Sequence, residues 1–240
     1  MKAIILAAGA STRLYPLTLS KPKALLPIAG RTILDQQIES LIAAHIDEVI
    51  LVMGYKKEMI REHLIHKNYP IKITYVENDN YAHTGPIIGG LSLVQEYLHE
   101  PIIFSHCDVL FGVDAITRLI SDPHESAVLY RKGDWDAEAG KIIVEDKTGR
   151  VQELGKHIEK ERATGEYLQI AKFSKNFGEH LISVLDERIQ TKRDGYTIDA
   201  FNDVVKDTSI IVTGILFDEL IMEIDTPEDY ALAQKMWDKR

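Results

Sequence analysis

The sequence predicts an α/β fold in which a doubly wound mixed sheet is followed by a smaller β-rich region. Over residues 1–125, short apolar and mostly β-branched runs alternate with segments whose apolar residues recur at helical spacing. That alternation is typical of parallel strands joined by helices that cover both faces of a sheet. After about residue 126 the strand-like runs are shorter, and a hairpin signal separates two of them.

The first half of the chain supplies the parallel part of the sheet. Buried strands are predicted at residues 2–6, 48–53, 72–77 and 101–105, and helices over 34–42, 59–64 and 88–98. In a sheet of this kind the ligand crevice lies beyond the carboxyl ends of the strands. We therefore expect the residues that directly follow these strands to carry the chemistry.

The second half of the chain combines short strands with longer helices. The tetrapeptide Asp-Lys-Thr-Gly at 146–149 is a hairpin turn signal. A last helix is predicted to begin at Thr226 as its N-cap, with Pro227 in the first helical position and acids in the first turn. The other predicted elements are strands at 127–130, 141–145, 151–154 and 167–173, and helices near 176–191 and 198–206.

The charge distribution favours a small anionic ligand over a nucleic acid. The net charge is −9, whereas binding of a nucleic-acid backbone needs a broad face of Lys and Arg. The first 34 residues nevertheless contain five basic residues and no acid, which indicates a local basic pocket. The opening apolar run is too short for a signal peptide or a membrane span, and the single cysteine, Cys107, fits a reducing compartment. We therefore expect a cytoplasmic protein with no nucleic-acid or membrane partner.

A loop of small residues directly follows the first strand. Its backbone N–H groups can approach a base and phosphates closely, while Arg13 and Lys23 supply positive charge. This stretch contains neither G-x-G-x-x-G nor G-K-[ST], so it supports neither a dinucleotide site nor a Walker loop. The residues of the predicted nucleotide loop are Leu6, Ala7, Ala8, Gly9, Ala10, Ser11 and Thr12.

Residues 3–27 resemble the signature of the sugar-phosphate nucleotidyltransferases, which is L-A-A-G-x-G/S-T-R-L followed by P-L-T and P-K-x-L. The resemblance implies one Rossmann-like domain of the nucleotide-diphospho-sugar transferase type over residues 1–240. That domain comprises a nucleotide-binding half at 1–125, an acceptor-binding half at 126–225 and a C-terminal helix at 226–240. The resemblance also implies that Arg13 contacts the outgoing β- and γ-phosphates and that Lys23 bridges the α-phosphate and the incoming phosphate. Fixed cations between two repelling polyanions agree with that chemistry.

Two carboxylates lie in motifs of the same family. Asp108 follows the fourth predicted strand and opens Asp-Val-Leu-Phe, and Asp225 lies in Glu-Ile-Asp-Thr-Pro-Glu-Asp at 223–229. A lone Asp after a strand is more often a turn or cap residue. The resemblance, however, implies that both bind Mg²⁺, and two hard oxygen ligands with phosphates and waters suit that ion. His106, two residues before Asp108, is interpreted as structural.

The middle and end of the chain resemble the choline-phosphate and 2-aminoethylphosphonate cytidylyltransferases. This resemblance favours CTP as the donor and an acceptor with a short cationic head. Pyrophosphate would be released as the second product. Such a head needs an aromatic face or carboxylates. The candidate acceptor-binding residues are Trp135, Lys156, Glu166 and Tyr167. Lys156 is either the cation for the acceptor phosphate or a solvated surface lysine, and the aromatic residues are alternatively part of the core.

One segment, residues 83–91, departs from that subgroup, which carries an Asn-rich run there. Thr84 and Gly85 still suit a base-contacting turn at a helix start, with exposed backbone N–H groups. Because this chain lacks the side-chain amides of that Asn-rich run, an alternative is a sugar 1-phosphate or inositol phosphate acceptor with UTP, dTTP or CTP as the donor.

Two other function classes compete with this interpretation. Nucleotide-sugar glycosyltransferases generally carry Asp-x-Asp at their metal, whereas this chain has His-Cys-Asp at 106–108. A non-catalytic regulatory subunit would be expected to lose Arg13, Lys23, Asp108 or Asp225, and all four are present. We expect no C-terminal β-helix of hexapeptide repeats, and the sequence leaves a homo-oligomer open.

Overall fold

The structure, a computed structural model, describes residues 1–133, 135 and 138–237. Within these residues, nine strands form one mixed sheet and two short strand pairs lie beside it. The strands are β1 Lys2–Ala7, β2 Pro27–Ile28, β3 Arg31–Thr32, β4 Glu48–Met53, β5 Lys72–Glu77, β6 Ile102–His106, β7 Val109–Leu110, β8 Ala127–Arg131, β9 Lys141–Val144, β10 Val151–Gly155, β11 Gly165–Phe173, β12 Thr213–Leu216 and β13 Met222–Glu223.

Helices cover both faces of the sheet. Alternate residues of β1 belong to different apolar clusters. Ile4 lies in one cluster with Phe177 and Phe201, whereas Ile5 lies in the other with Leu34 and Ile116. This alternation is what a strand buried on both faces requires. The doubly wound α/β prediction is confirmed. The α-helices are α1 Ile33–Ala43, α2 Lys57–Ile65, α3 Val113–Ser121, α4 Lys175–Gln190, α5 Thr197–Val205 and α6 Pro227–Trp237, and 3₁₀ turns lie at Thr12–Leu14, Lys23–Leu25 and Leu91–Tyr97.

The strand order creates a crevice at the carboxyl end of β1. The strands β5, β4, β1 and β6 are neighbours in that order and run parallel. The chain moves outward from β1 on one side and then returns to its other side with β6. A sheet whose order reverses in this way binds ligands between the two strands at the reversal. The residues that follow β1 and β6 therefore meet at one edge.

The second half of the chain extends this sheet. β11 pairs antiparallel with β6, and β8, β9, β10 and β12 are added beyond it. The β9–β10 hairpin follows its turn signal, with Gly149 at φ +71° closing the turn. Sequence patterns did not reveal β12, α3 or the short pair of β7 with β13.

The prediction of a regular α-helix over 88–98 is wrong. The segment is a 3₁₀ turn, Leu91–Tyr97, broken at Val94 (φ −118°, ψ 16°). At its start, Leu91 N donates to Pro86 O and Ser92 N donates to Ile87 O. These bonds join residues five apart rather than the four of an α-helix. The adjacent glycines at 89 and 90 weaken a regular helix here. The C-terminal helix begins as predicted, with Asp229 N donating to Thr226 Oγ1 at 3.2 Å, and its predicted residues 238–240 lie outside the described residues.

Each helix in the described part of the chain is too short or too polar to span a bilayer.

A buried carboxylate ties α1 to α2 and to the chain that follows it. Asp35 is 1% exposed and caps α1 with Thr32. It accepts hydrogen bonds from Lys67 Nζ at 3.0 Å and Tyr69 Oη at 2.7 Å, and lies 2.8 Å from His63 Nε2. Burial alone would raise the pKa of Asp35, but bonds from Tyr69, His63 and Lys67 outweigh it and hold the pKa well below its usual range.

Asp35→Asn is expected to lower the free energy of unfolding at pH 7 by about 1–3 kcal/mol, because a carboxylate oxygen that accepts charge-assisted bonds is lost. A carboxyl group with a lowered folded pKa stabilises the fold above its unfolded pKa of about 3.9, and that contribution is lost as the pH falls through the folded pKa. The difference between the wild type and Asp35→Asn should therefore shrink below about pH 4. Urea denaturation across pH checks this, with the exposed Asp186→Asn as the matched control. A difference that is constant with pH would contradict the ionised assignment.

Candidate active site

The loop after β1 is held from both sides. Ser11 adopts a left-handed conformation (φ 51°), and its carbonyl accepts a hydrogen bond from Thr18 Oγ1 at 2.9 Å. On the other side Tyr55 N donates to Ala8 O at 2.9 Å. The buried Leu14 then anchors the following 3₁₀ turn, so that the preceding side chain, Arg13, projects outward and is 58% exposed.

Two cations and two carboxylates meet at the mouth of the crevice. Lys23, only 5% exposed, places Nζ 3.1 Å from Asp108 Oδ2 and 2.7 Å from Asp225 Oδ1. Arg13 Nη2 lies 2.7 Å from Asp225 Oδ2. The structure thus brings together the four residues for which the sequence predicted phosphate and metal contacts.

A short strand pair brings the C-terminal carboxylate to the sheet. Asp108 follows β6, and the next residues form β7, which pairs antiparallel with β13. Ile224 N also donates to Asp108 O at 2.9 Å. Asp225 therefore lies beside Asp108 although the two are far apart in sequence. This pairing is a tertiary contact that neither segment indicates by itself.

Burial and ion pairing act in opposite directions on Lys23 and Asp225. Burial by itself would lower the pKa of Lys23, but the carboxylates of Asp108 and Asp225 raise it above its usual value. Burial would likewise raise the pKa of Asp225, yet Lys23, with Arg13, lowers it. Lys23 and Asp225 thus stabilise each other's charged forms, as expected of a hydrogen-bonded ion pair shielded from water.

A third acid, Glu223, belongs to this cluster and was missed by the sequence analysis. One ligand atom from each of Asp108, Glu223 and Asp225 lies within 4.8 Å of the others. Burial, with Asp108 and Asp225, raises the pKa of Glu223. The available signal was the spacing of Glu223 and Asp225, because residues two apart on an extended chain share a face.

The cluster suits a hard divalent cation. Asp108 Oδ1 is buried and has no hydrogen-bond partner among the described residues. An orphaned buried carboxylate oxygen is costly unless a ligand satisfies it. Carboxylate oxygens with phosphate and water oxygens are the donor set that Mg²⁺ prefers. Asp108, Asp225 and Glu223 are therefore the residues that would hold the ion.

A cavity of about 180 Å³, which we call the loop cavity, lies against the loop after β1. Six of the predicted nucleotide residues line it, and they are Leu6, Ala8, Gly9, Ser11, Thr84 and Gly85. Ala7, Ala10 and Thr12 do not line it. Ala7 belongs to the opposite face of the sheet because successive strand residues point to opposite sides. Asn78 and Tyr81 also line the cavity and were not predicted.

The expectation of exposed N–H groups is wrong for Thr84, whose N–H donates to Asn80 O at 3.1 Å, and also for Gly85. Its N–H donates to Asp194 Oδ2 at 2.6 Å, and Ile88 N donates to Asp194 Oδ1 at 3.2 Å. The amide is already bonded to a carboxylate from the loop between α4 and α5. Thr84 keeps its place at the cavity wall, with its hydroxyl donating to Asn80 O at 3.0 Å.

A second cavity of about 180 Å³, the acid cavity, lies on the other side of the carboxylates. It shares Pro86, His106 and Asp108 with the loop cavity, so two ligands would meet beside Asp108. A third, more open outer cavity of about 440 Å³ continues from it toward α6. The acid cavity is lined by Arg13, Pro86, His106, Asp108, Gly140, Lys156, Gln169, Tyr196, Thr197, Ile198, Glu223 and Asp225.

The four candidate acceptor residues occupy different positions. Lys156 lines both the acid and outer cavities, with Nζ 4.3 Å from the ring centroid of Tyr196. Glu166 lines the outer cavity and bonds Arg131 Nε at 2.7 Å. Tyr167, the next residue on β11, points to the opposite face and is buried in the core. Trp135 lines none of the three cavities, and Lys160 Nζ lies 5.7 Å from its ring centroid.

Two residues that sequence reasoning did not assign to the site also line the acid cavity. Gln169 lies at φ +58° where the register of β11 shifts, and such bulges re-aim side chains. Thr197 Oγ1 lies 2.7 Å from His106 Nε2. His106 is thus held by a hydrogen bond to a neighbouring side chain, and it also lines both the loop cavity and the acid cavity. Burial lowers the pKa of His106.

Comparison with known proteins gives a consistent family. A model described as a MobA-like NTP transferase domain matches residues 3–188. The chain is 32% identical over 162 residues to the UTP–glucose-1-phosphate uridylyltransferase AglF of Haloferax volcanii, covering 64% of each chain. It is 28% identical over 196 residues to the CTP:phosphoglutamine cytidylyltransferase of Campylobacter jejuni, covering 76% of this chain and 77% of that protein.

Among solved structures, the CTP:phosphocholine cytidylyltransferase LicC of Streptococcus pneumoniae is similar, with a TM-score of 0.76, 25% identity and 98% coverage of both chains. The chain spans less than two thirds of the length of several curated relatives, with 64% for AglF and 38% for a bifunctional GlmU protein of Methanococcus maripaludis.

Proposed function

We propose that this chain, which belongs to the MobA-like NTP transferase domain family, transfers CMP from CTP to a small phosphorylated or phosphonylated acceptor and releases pyrophosphate. The observation that carries the proposal is the position of Lys23 Nζ between Asp108 and Asp225, with Arg13 on the outer side of Asp225. This arrangement provides fixed positive charge and an acidic cation site at the point where the loop and acid cavities meet.

The two cavities provide places for the two substrates. The nucleotide would occupy the loop cavity, whose small residues let a base and phosphates approach the backbone. The acceptor would enter the acid cavity from the outer cavity. Both would then present phosphoryl groups beside Asp108, which lines the loop cavity and the acid cavity.

The chemical step needs positioning more than it needs a protein nucleophile. An anionic oxygen of the acceptor attacks the α-phosphorus of the nucleotide in line, and the bond to the bridging oxygen of the leaving pyrophosphate breaks. Lys23 stabilises the negative charge shared by the α-phosphate and the incoming group. Arg13 offers a planar fork of donors to the departing pyrophosphate oxygens. The chemistry supplied by Mg²⁺, when bound to Asp108, Glu223 and Asp225, is neutralisation of phosphate charge.

The relatives and the cavity walls support CTP and a small zwitterionic acceptor. Cytidylyltransferases are among the similar proteins by sequence and by structure. Lys156 supplies a cation for the acceptor phosphate, and Glu166 and Glu138 supply carboxylates in the outer cavity. A second candidate, transfer of UMP to a sugar 1-phosphate, is favoured by the 32% identity to AglF.

A pyrophosphate-release screen tests both candidates. CTP, UTP, dTTP, ATP and GTP would each be combined with phosphocholine, aminoethylphosphonate, glycerol phosphate, inositol phosphate and hexose 1-phosphates. We expect turnover with CTP and a small phospho-acceptor, complete dependence on Mg²⁺, and recovery when Mg²⁺ is restored after EDTA. Turnover with UTP and a hexose 1-phosphate alone would transfer the conclusion to the second candidate. No pyrophosphate from any pair would contradict the proposal.

A further inference from the structure

The loop between α4 and α5, residues 191–196, reaches from the second half of the chain to the loop cavity. Its Asp194 accepts hydrogen bonds from Gly85 N at 2.6 Å and Ile88 N at 3.2 Å. These amides open a helical turn, because Gly89 N donates to Gly85 O at 2.9 Å. The first N–H groups of such a turn have no partner within it. Asp194 supplies the acceptor for these N–H groups from a distant segment, as the carboxylate of an N-cap residue does within a helix.

The fit between this carboxylate and the turn is close. A Cβ atom at Gly85 would lie 2.9 Å from Asp194 Oδ1, so a larger residue would push the carboxylate away. Asp194 is itself held by Gly195 N at 2.9 Å. With three N–H donors on one carboxylate, the backbone of the turn and the side chain of Asp194 fix each other's positions.

The same loop continues directly into the acid cavity. Tyr196, two residues later, lies in the wall with its ring against Lys156, and Thr197 bonds His106. Tyr196 N is fixed by Asp199 Oδ2 at 2.9 Å. One short segment therefore contacts the turn of the loop cavity and forms part of the wall where the acceptor would bind.

We propose that Asp194 is a positioning residue for the nucleotide base. By accepting hydrogen bonds from Gly85 N and Ile88 N, Asp194 fixes the backbone of the turn. The Gly85 N–H is then not available to the base, so the base is recognised by the other residues of the cavity wall, including Asn78 and Thr84. Selection among nucleotides then depends on a residue outside the predicted nucleotide-binding half. This inference rests on the proposed function, since it assumes that the loop cavity receives the base.

The test compares Asp194→Asn, which removes the charge but keeps one amide oxygen as an acceptor, with Asp194→Ser, whose single hydroxyl oxygen lies one bond closer to the backbone and cannot serve both amides. Asp186→Asn is the control, because it removes the same charge from the exposed face of α4. Amide hydrogen exchange of residues 80–92 reports the turn, and calorimetric titration with Mg²⁺ and each nucleoside triphosphate reports binding. We expect Asp194→Asn to accelerate exchange at Gly85 and Ile88 and to weaken binding of the preferred nucleotide about tenfold, the usual size for loss of a hydrogen bond to a charged group.

Selectivity separates positioning from a general structural role. The affinity ratio between the preferred and the next nucleotide should shrink in Asp194→Asn and shrink further in Asp194→Ser, which retains less of the hydrogen bonding to the turn. The KM for the acceptor and the kcat at saturating nucleotide should change by less than about threefold, since these contacts lie away from the reacting atoms. Asp186→Asn should match the wild type in every readout.

Faster exchange with unchanged nucleotide affinity and selectivity would overturn the proposal, as would tighter nucleotide binding, which would mean that the carboxylate competes with the base. If Asp194→Asn does not fold, Asp194→Ser decides by the same two measurements. A wild-type chain that binds a nucleotide but releases no pyrophosphate with any acceptor would refute the proposed transfer and leave the positioning role intact.

Discussion

Lys23→Met is expected to lower kcat/KM by about 10²- to 10³-fold, the usual cost of removing one preorganised donor from a developing anion. Methionine has a similar length and fills the buried volume, so the change removes the charge and three donors with little loss of packing. Lys23 Nζ bonds the carboxylates of Asp108 and Asp225 and is shielded from water, so that its charge acts strongly. Steady-state pyrophosphate release measures the effect.

The matched control is Lys172→Met. Lys172 is equally buried, donating to Asp122 O at 2.8 Å, but it lies on β11 opposite Ile103, away from the carboxyl end of β6. Both variants lose a buried lysine and should show comparable losses of thermal stability. Only Lys23→Met should lose turnover. Equal activity in the two variants would show that Lys23 does not take part in the transfer step.

Asp225→Asn is expected to lower kcat by at least about 10²-fold and to raise the Mg²⁺ concentration needed for half-maximal rate. The side chain is one of three carboxylates within 4.8 Å of one another, and it is also the shared partner of Lys23 and Arg13. An amide keeps the shape but loses the negative charge that both roles require. Titration of activity with Mg²⁺ in each variant measures the two effects separately.

Asp108→Asn should change kcat in the same direction, because Asp108 Oδ1 lacks a protein partner among the described residues and is free to bind an ion. Asp218→Asn serves as the control, since Asp218 is exposed and lines none of the three cavities. Normal turnover and an unchanged Mg²⁺ requirement in both Asp108→Asn and Asp225→Asn would show that the cluster does not hold the metal.

The longer strands of the first half of the chain were predictable because each carries its own signal. β4, which is buried along its whole length, and β5, which is half-buried at the edge of the sheet, both have the predicted bounds because each is rich in apolar or β-branched residues. The 88–98 segment was not predictable in the same way. Its apolar residues recur at helical spacing, yet the glycines at 89 and 90 and the contacts of the loop cavity produce a 3₁₀ turn.

Candidate site residues on one motif were easier to find than those that depend on long-range contacts. Glu223 and Gln169 reach the site through a strand pair and a bulge, neither of which has a signature in a single segment. Tyr167 and Glu166 were both candidates for the acceptor, but neighbours on a strand face opposite sides, and only Glu166 lies at a cavity.

A few consecutive residues encode each strand of the parallel sheet, the small-residue loop after β1, and each of the two cations and two acids in its motif, so these features could be predicted from the chain alone. Three other features depend on the tertiary fold: the acids lie beside Lys23, Glu223 joins them, and Asp194 accepts the hydrogen bond of the Gly85 amide. These contacts join residues that are between 85 and 202 positions apart in the chain. Their geometry depends on how the whole sheet packs, which no local pattern encodes.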